Sequence, residues 1–140
     1  MSGFVRRRMT VALWRDGSPR YPQSVARICM TYDRRDPLVV KMAFVVGLSR
    51  SVVVWHISRS LLLEGLESLV GSGSVQVWPH TESALIIYLS GADNYGILVE
   101  LPRRRVADFL AATYTIVTVE DESAALVVDD VLAALLAETS

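Results

Sequence analysis

A chain of 140 residues that is 51% hydrophobic and 21% charged can bury the core of one globular domain and is too apolar for a disordered tail. Its one cysteine, Cys29, excludes an internal disulfide, and no apolar run has the length of a membrane helix. The net charge of −1 hides a gradient: residues 1–59 carry ten Arg and Lys41 against Asp16, Asp33 and Asp36 (net +8), residues 60–119 come to −3, and residues 120–140 hold six acids and no base.

The start, MSGFVRRRMTVALW, imitates a signal peptide, but the apolar part from Met9 to Trp14 is too short and Arg15-Asp16-Gly17 follows at once. It is taken as a basic-edged strand of a cytoplasmic protein, with residues 1–5 a flexible arm on a single domain spanning 1–140. Arg6 to Trp14 alternates, with Met9, Val11 and Leu13 on one face and Arg8, Thr10, Ala12 and Trp14 on the other. Asp16-Gly17-Ser18-Pro19 is turn chemistry. Ser24 to Tyr32 is a second strand, Asp33 to Pro37 a charged turn, and Leu38 to Val46 a third strand. Gly47 to Arg50 links it to a fourth, and strands joined this closely make an antiparallel meander.

Val52 to Ile57 is β-branched and aromatic, as a buried strand requires. Ser58 stands at a helix N-cap, and Leu62, Leu66, Leu69 and Val70 then fall on one helical face. This spacing predicts a helix as far as Val70, closed by Gly71 in a left-handed cap. Val75 to Val77 forms the next strand, which Pro79 stops. Ala84 to Ser90 is almost wholly apolar and so covered on both faces, and Gly91 to Gly96 is a hairpin loop leading to a strand at Ile97–Leu101. Pro102 opens a helix over Arg103–Thr113 that buries Val106, Phe109 and Leu110. Thr115 to Val119 is β-like, and Glu120-Asp121-Glu122-Ser123 reads as an acidic turn. A last helix is expected from about Asp129, as N-cap, to Glu138, with Val131, Leu132, Leu135 and Leu136 as its stripe. No internal repeat is found, although two strand pairs, each followed by a helix, are suggestive. The fold class is α+β: a mainly antiparallel, barrel-like sheet of about seven strands with about three helices.

Catalytic patterns are missing. His56 and His80 have no second ligand at metal spacing, and no nucleophile elbow, Walker loop or dinucleotide fingerprint occurs. Gly71-Ser72-Gly73 follows a helix instead of opening one, so it does not cradle phosphate. Glu64 and Glu67, three apart, are taken as an exposed helix face, and Cys29 as a small packed hydrophobe. No catalytic residue, metal or cofactor is expected.

The run Trp55, Ser58-Arg59, Leu61-Leu62, Glu64-Gly65-Leu66, then Gly71-x-Gly73-x-Val75-x-Val77-Trp78-Pro79, resembles the SsgA-like proteins of sporulating actinomycetes. Tyr32-Asp33 and Asp36-Pro37 match that family's YD-x-x-DP element, so the likeness extends from about Tyr32 to the C-terminus. Family members often carry an acid after the arginine. Here Ser60 stands there, and the helix start lacks a charge complementary to its dipole.

The resemblance implies a bell-shaped, whirly-like barrel and a homotrimer. It also implies a non-enzymatic regulator of sporulation-specific division that works at septa through protein contacts. The partners it implies are the tubulin-like protein FtsZ, for recruitment, or another SsgA-like protein, with control of septal peptidoglycan remodelling as the other role. The basic half of the chain, its aromatics and the matched motif make Arg34, Arg35, Trp55, Arg59, Glu64 and Trp78 the candidate partner-binding residues. A single-stranded nucleic-acid binder is the second reading, resting on the arginine excess and the fold analogy; the acidic last third and the near absence of lysine weigh against it. A cell-wall hydrolase is a distant third.

Overall fold

The computed structural model describes residues 3–15, 24–46, 51–91 and 96–139. The turn at Asp16–Pro19, the Gly47–Arg50 link and positions 92–95 of the hairpin loop lie outside the described residues. Eight strands and three helices follow in the order β1 (Phe4–Arg15), β2 (Ser24–Asp33), β3 (Val39–Val46), β4 (Ser51–Ser58), α1 (Arg59–Gly65), β5 (Val70–Ser72), β6 (Val75–Pro79), β7 (Ala84–Ser90), β8 (Gly96–Pro102), α2 (Arg103–Ile116) and α3 (Val119–Thr139). β1 begins at Phe4, which pairs with Asp33, and Val5 is buried, so the sheet takes in the last two residues of the expected N-terminal arm.

The strands form one antiparallel sheet, β4-β3-β2-β1-β8-β7-β6-β5, curled into a half-barrel. It consists of two four-stranded meanders, each followed by a helix and joined where β1 pairs β8. Directly opposed residues share a face, so the register sorts every side chain. Met9 opposes Ile28, Ile28 opposes Phe44, and Phe44 opposes Val53. Across the other meander, Leu13 opposes Val99, Val99 opposes Ile87, and Ile87 opposes Val77. These rows form a continuous inner face holding Met30, Met42, Ile57, Leu85 and Leu101, all at 1% exposure or less. Burial stabilises each by about 1.5–3 kcal/mol.

α2 covers this inner face with Val106, Phe109, Leu110 and Thr113. β1 pairs with β8 only from Ala12 to Arg15, and the earlier part of that edge lies by α2, whose Arg105 donates to the Arg8 carbonyl at 2.9 Å. The Arg103 N–H donates to the Ser83 carbonyl at 3.0 Å, which satisfies a free donor at the helix start.

Three expectations are corrected. α1 ends at Gly65, with Leu66 as its cap; Val70 and Gly71 belong to β5, and Leu69 is 65% exposed. The cause is contact with β6: a Cβ on Gly65 would lie 2.2 Å from a Val77 methyl, so the helix meets the strand at this glycine and the chain turns away. Gly71 does take φ +89°, but inside a hairpin whose two-residue loop is Gly73-Ser74, with Gly73 at φ +70°. Second, Thr115 and Ile116 are the last turn of α2. Third, Glu120-Asp121-Glu122 is the first turn of α3, where acids complement the helix dipole and Thr118 Oγ1 accepts from the Asp121 N–H at 3.2 Å. α3 therefore starts ten residues before Asp129.

Candidate interaction surfaces

Five of the six predicted residues lie on β4, on α1 or directly after β2, but they have different fates. Ser58 caps α1 by accepting from the Leu61 N–H at 3.2 Å, and its hydroxyl lies 3.0 Å from that of Ser60. The cap directs Arg59 inward, where it is 0% exposed. Its Nε donates to Glu122 Oε1 at 3.1 Å, and Nη1 donates to the Thr113 and Val117 carbonyls at 3.1 and 2.9 Å. The guanidinium sits 3.7 Å from the Tyr114 ring centre and 4.8 Å from that of Tyr32. Arg59 is thus a buried tie between α1, α2 and α3 and offers nothing to a partner in this structure. The family-like elements meet here: the Tyr32 hydroxyl donates to the Pro37 carbonyl at 2.9 Å. Desolvation pushes the Tyr32 phenol up to about 12, against the opposing pull of the Arg59 cation, and burial likewise raises Tyr114.

Arg34 and Arg35 occupy the corner after β2. Arg35 is bound bidentately to Asp33, whose carboxyl its hydrogen bonds hold down at about 2. Arg34 is exposed, and its N–H donates to the Gly3 carbonyl at 2.7 Å. Phe4 joins them around a shallow cleft.

The two tryptophans are on opposite faces of the sheet. Trp55 opposes Met42 and packs on the inner core, whereas Trp78 opposes Ile86 on the outer face that also carries Trp14 and Tyr88. They therefore cannot serve one partner-binding surface together. Glu64 is exposed on α1.

A further surface was not assembled by sequence reasoning. On the outer face of β1–β4 the register places Arg8 beside Cys29, Ala43 and Val54, and Thr10 beside Arg27, Val45 and Val52. Val25, Val45, Val52 and Val54 are 44–69% exposed, and Arg6 and Lys41 complete a basic rim. A groove of about 530 Å³ opens here, and Arg8, Arg27, Arg105, Cys29 and Val45 help to line it. Among the described residues these arginines form no ion pair. The signal was available in the alternation of Arg6, Arg8 and Thr10, but only pairing shows which valines join them. Such a surface suits an apolar partner carrying carboxylates, which arginine forks can grip.

The second surface is α3. Beyond Ala125 every residue to Glu138 is exposed, including Leu126, Val127, Val131, Leu132 and Leu135. No helix among the described residues is long and apolar enough to cross a membrane, and those residues contain no cluster of three metal-ligating side chains.

Residues 26–122 match the family model described as Streptomyces sporulation and cell division protein, SsgA. The chain is 37% identical over 107 residues to the sporulation-specific cell division protein SsgB of Frankia casuarinae, covering 75% of this chain and 74% of that one. It is 33% identical over 121 residues to SsgB of Saccharopolyspora erythraea, covering 85% and 84%. A solved structure from a study of SsgB mutations that correlate with longitudinal cell division during sporulation of Streptomyces coelicolor superposes with a TM-score of 0.72 at 27% identity, covering 88% of this chain and 97% of that one.

Proposed function

The chain belongs to the SsgA family of sporulation and cell division proteins, and on that footing we propose that it is a non-enzymatic regulator of sporulation-specific septation that acts at septa through protein contacts. Its action is recruitment of FtsZ to future septum sites or control of septal peptidoglycan remodelling, carried out by a homo-oligomer that family resemblance makes a trimer. The observation that carries this reading is the surface itself. Among the described residues, a basic, valine-studded sheet face and an acidic, apolar helix are both left open, while the motif arginine Arg59 is held in the interior. Exposed apolar patches of this kind support a protein that works by docking.

A fluorescent fusion expressed in a sporulating actinomycete tests the proposal. The expected pattern is a ladder at division sites that disappears when FtsZ is depleted. A nucleoid-bound or evenly diffuse signal overturns it.

A further inference from the structure

Two surfaces of this chain complement each other and do not meet within one copy. From Leu126 to Glu138, α3 presents Leu126, Val127, Val131, Leu132 and Leu135 at 50–61% exposure, spread around the helix. A helix that is apolar all round is normally covered. The only charges on this stretch are Asp129, Asp130 and Glu138. The outer face of β1–β4 has the opposite character: exposed valines amid Arg6, Arg8, Arg27 and Lys41. Its one acid, Asp33, stands at its end and is held by Arg35.

The anchor of α3 is the Glu122–Arg59 pair, and Arg59 stacks on Tyr32, an inner-face residue opposite Val5. The helix runs on from this inner-face anchor with every residue from Leu126 to Glu138 exposed, so it does not lie on the outer face of its own sheet. Only another copy presents that face to it.

We infer that α3 of one copy lies in the basic outer-face groove of a second copy, with its leucines and valines on Val45, Val52 and Val54 and its aspartates toward Arg8 and Arg27. The dimensions agree. Thirteen helical residues span about 20 Å, and four strands about 4.8 Å apart make a face of about 14 Å between outer strand axes, or about 19 Å with the strands' own width. Packing α3 on α3 instead would bring like charges together and leave the arginines unanswered. Since a different surface is used on each copy, the contact either is exchanged reciprocally between two copies or repeats head-to-tail, closing into a ring where its rotation allows. The inference rests on the reading that this chain works by assembling, and it names the interface.

The single cysteine makes the test direct, because Cys29 lies on the outer face beside the groove. The full chain carrying Leu132→Cys is treated with a short bismaleimide, alongside wild type and the Cys29→Ser/Leu132→Cys double variant. Covalent multimers in the single variant alone support the inference. Equal cross-linking in the double variant means that α3 packs on α3 and overturns it. Sedimentation equilibrium runs in parallel, with Leu132→Arg as the disrupting variant. That exposed position should keep the wild-type circular dichroism and melting temperature while self-association weakens at least tenfold. A wild-type monomer across micromolar concentrations removes both this interface and the assembly reading. A wild-type oligomer with no Cys29-dependent cross-link removes this interface alone.

Discussion

Arg59 and Glu122, 63 residues apart in the chain, meet at 3.1 Å with the arginine fully enclosed. The pair fixes the first turn of α3 to the start of α1, and Tyr32 and Tyr114 flank the cation. Removing one member of such a pair leaves an uncompensated buried charge.

Arg59→Met is therefore expected to cost about 3–5 kcal/mol, the range for breaking a buried pair. Arg59→Lys should recover little, because an ammonium cannot reproduce the forked contacts to Thr113, Val117 and Glu122. Denaturant unfolding of Arg59→Met, Glu122→Gln and the double variant supplies the cycle, and additive losses at positions 59 and 122 would show that they are not coupled.

The boundary of α1 can be tested with two leucines. Leu66, 8% exposed, should lose about 2–5 kcal/mol on truncation to alanine. Leu69, 65% exposed, should change by less than about 0.5 kcal/mol. Similar melting shifts for both would restore the longer helix.

Gly65→Ala places a methyl 2.2 Å from a Val77 side-chain carbon and should destabilise by about 1–3 kcal/mol. Val77→Ala in the same chain opens that space, so the double variant should lose less than the sum of the two single changes. Calorimetric melts of the three variants decide the matter.

Tyr32 provides a pH signature. Burial raises its phenol to about 12 from the ordinary tyrosine value of 10.0, so the folded state holds the phenolic proton more tightly. This contribution is fully present below pH 10 and is lost as pH rises toward 12. Unfolding midpoints should fall across that window, and Tyr32→Phe should flatten the fall. Phenolate absorbance that titrates normally in the native protein would remove the basis for it.

Strands were legible wherever alternation ran unbroken, as from Met9 to Leu13 or Ala26 to Tyr32, because a one-residue slip would turn a buried face to water. The helix at Leu62 was legible, but its end was not. Leu66, Leu69 and Val70 keep a helical period, and what stops the helix is Val77 pressing on Gly65 from another strand. The acids at 120–122 carried a local signal for a helix start, and Thr118 before them carried a cap, yet a charge run resembles a turn when no apolar period follows in phase. At the candidate surfaces, exposure was settled by long-range pairing. Arg59 sits in a surface-like motif and is buried by a residue 63 positions on, while Val52 and Val54 belong to a core-like run and remain open because β4 is a sheet edge whose outer side nothing covers among the described residues.

The seam between the two meanders has a kinetic consequence. β1 and β2 pair over ten positions across a short connection, whereas β1 and β8 pair over four positions between residues 82 to 88 apart in the chain. Closing so long a loop costs entropy that few contacts offset before the join is made. Each meander can nucleate on its own hairpins, and the half-barrel is completed late, when Trp14 and Leu13 find Leu98 and Val99. By the same reasoning the native protein opens first along this line, and amides of Ala12–Arg15 on the β8 side should exchange with solvent sooner than those buried between β2 and β3.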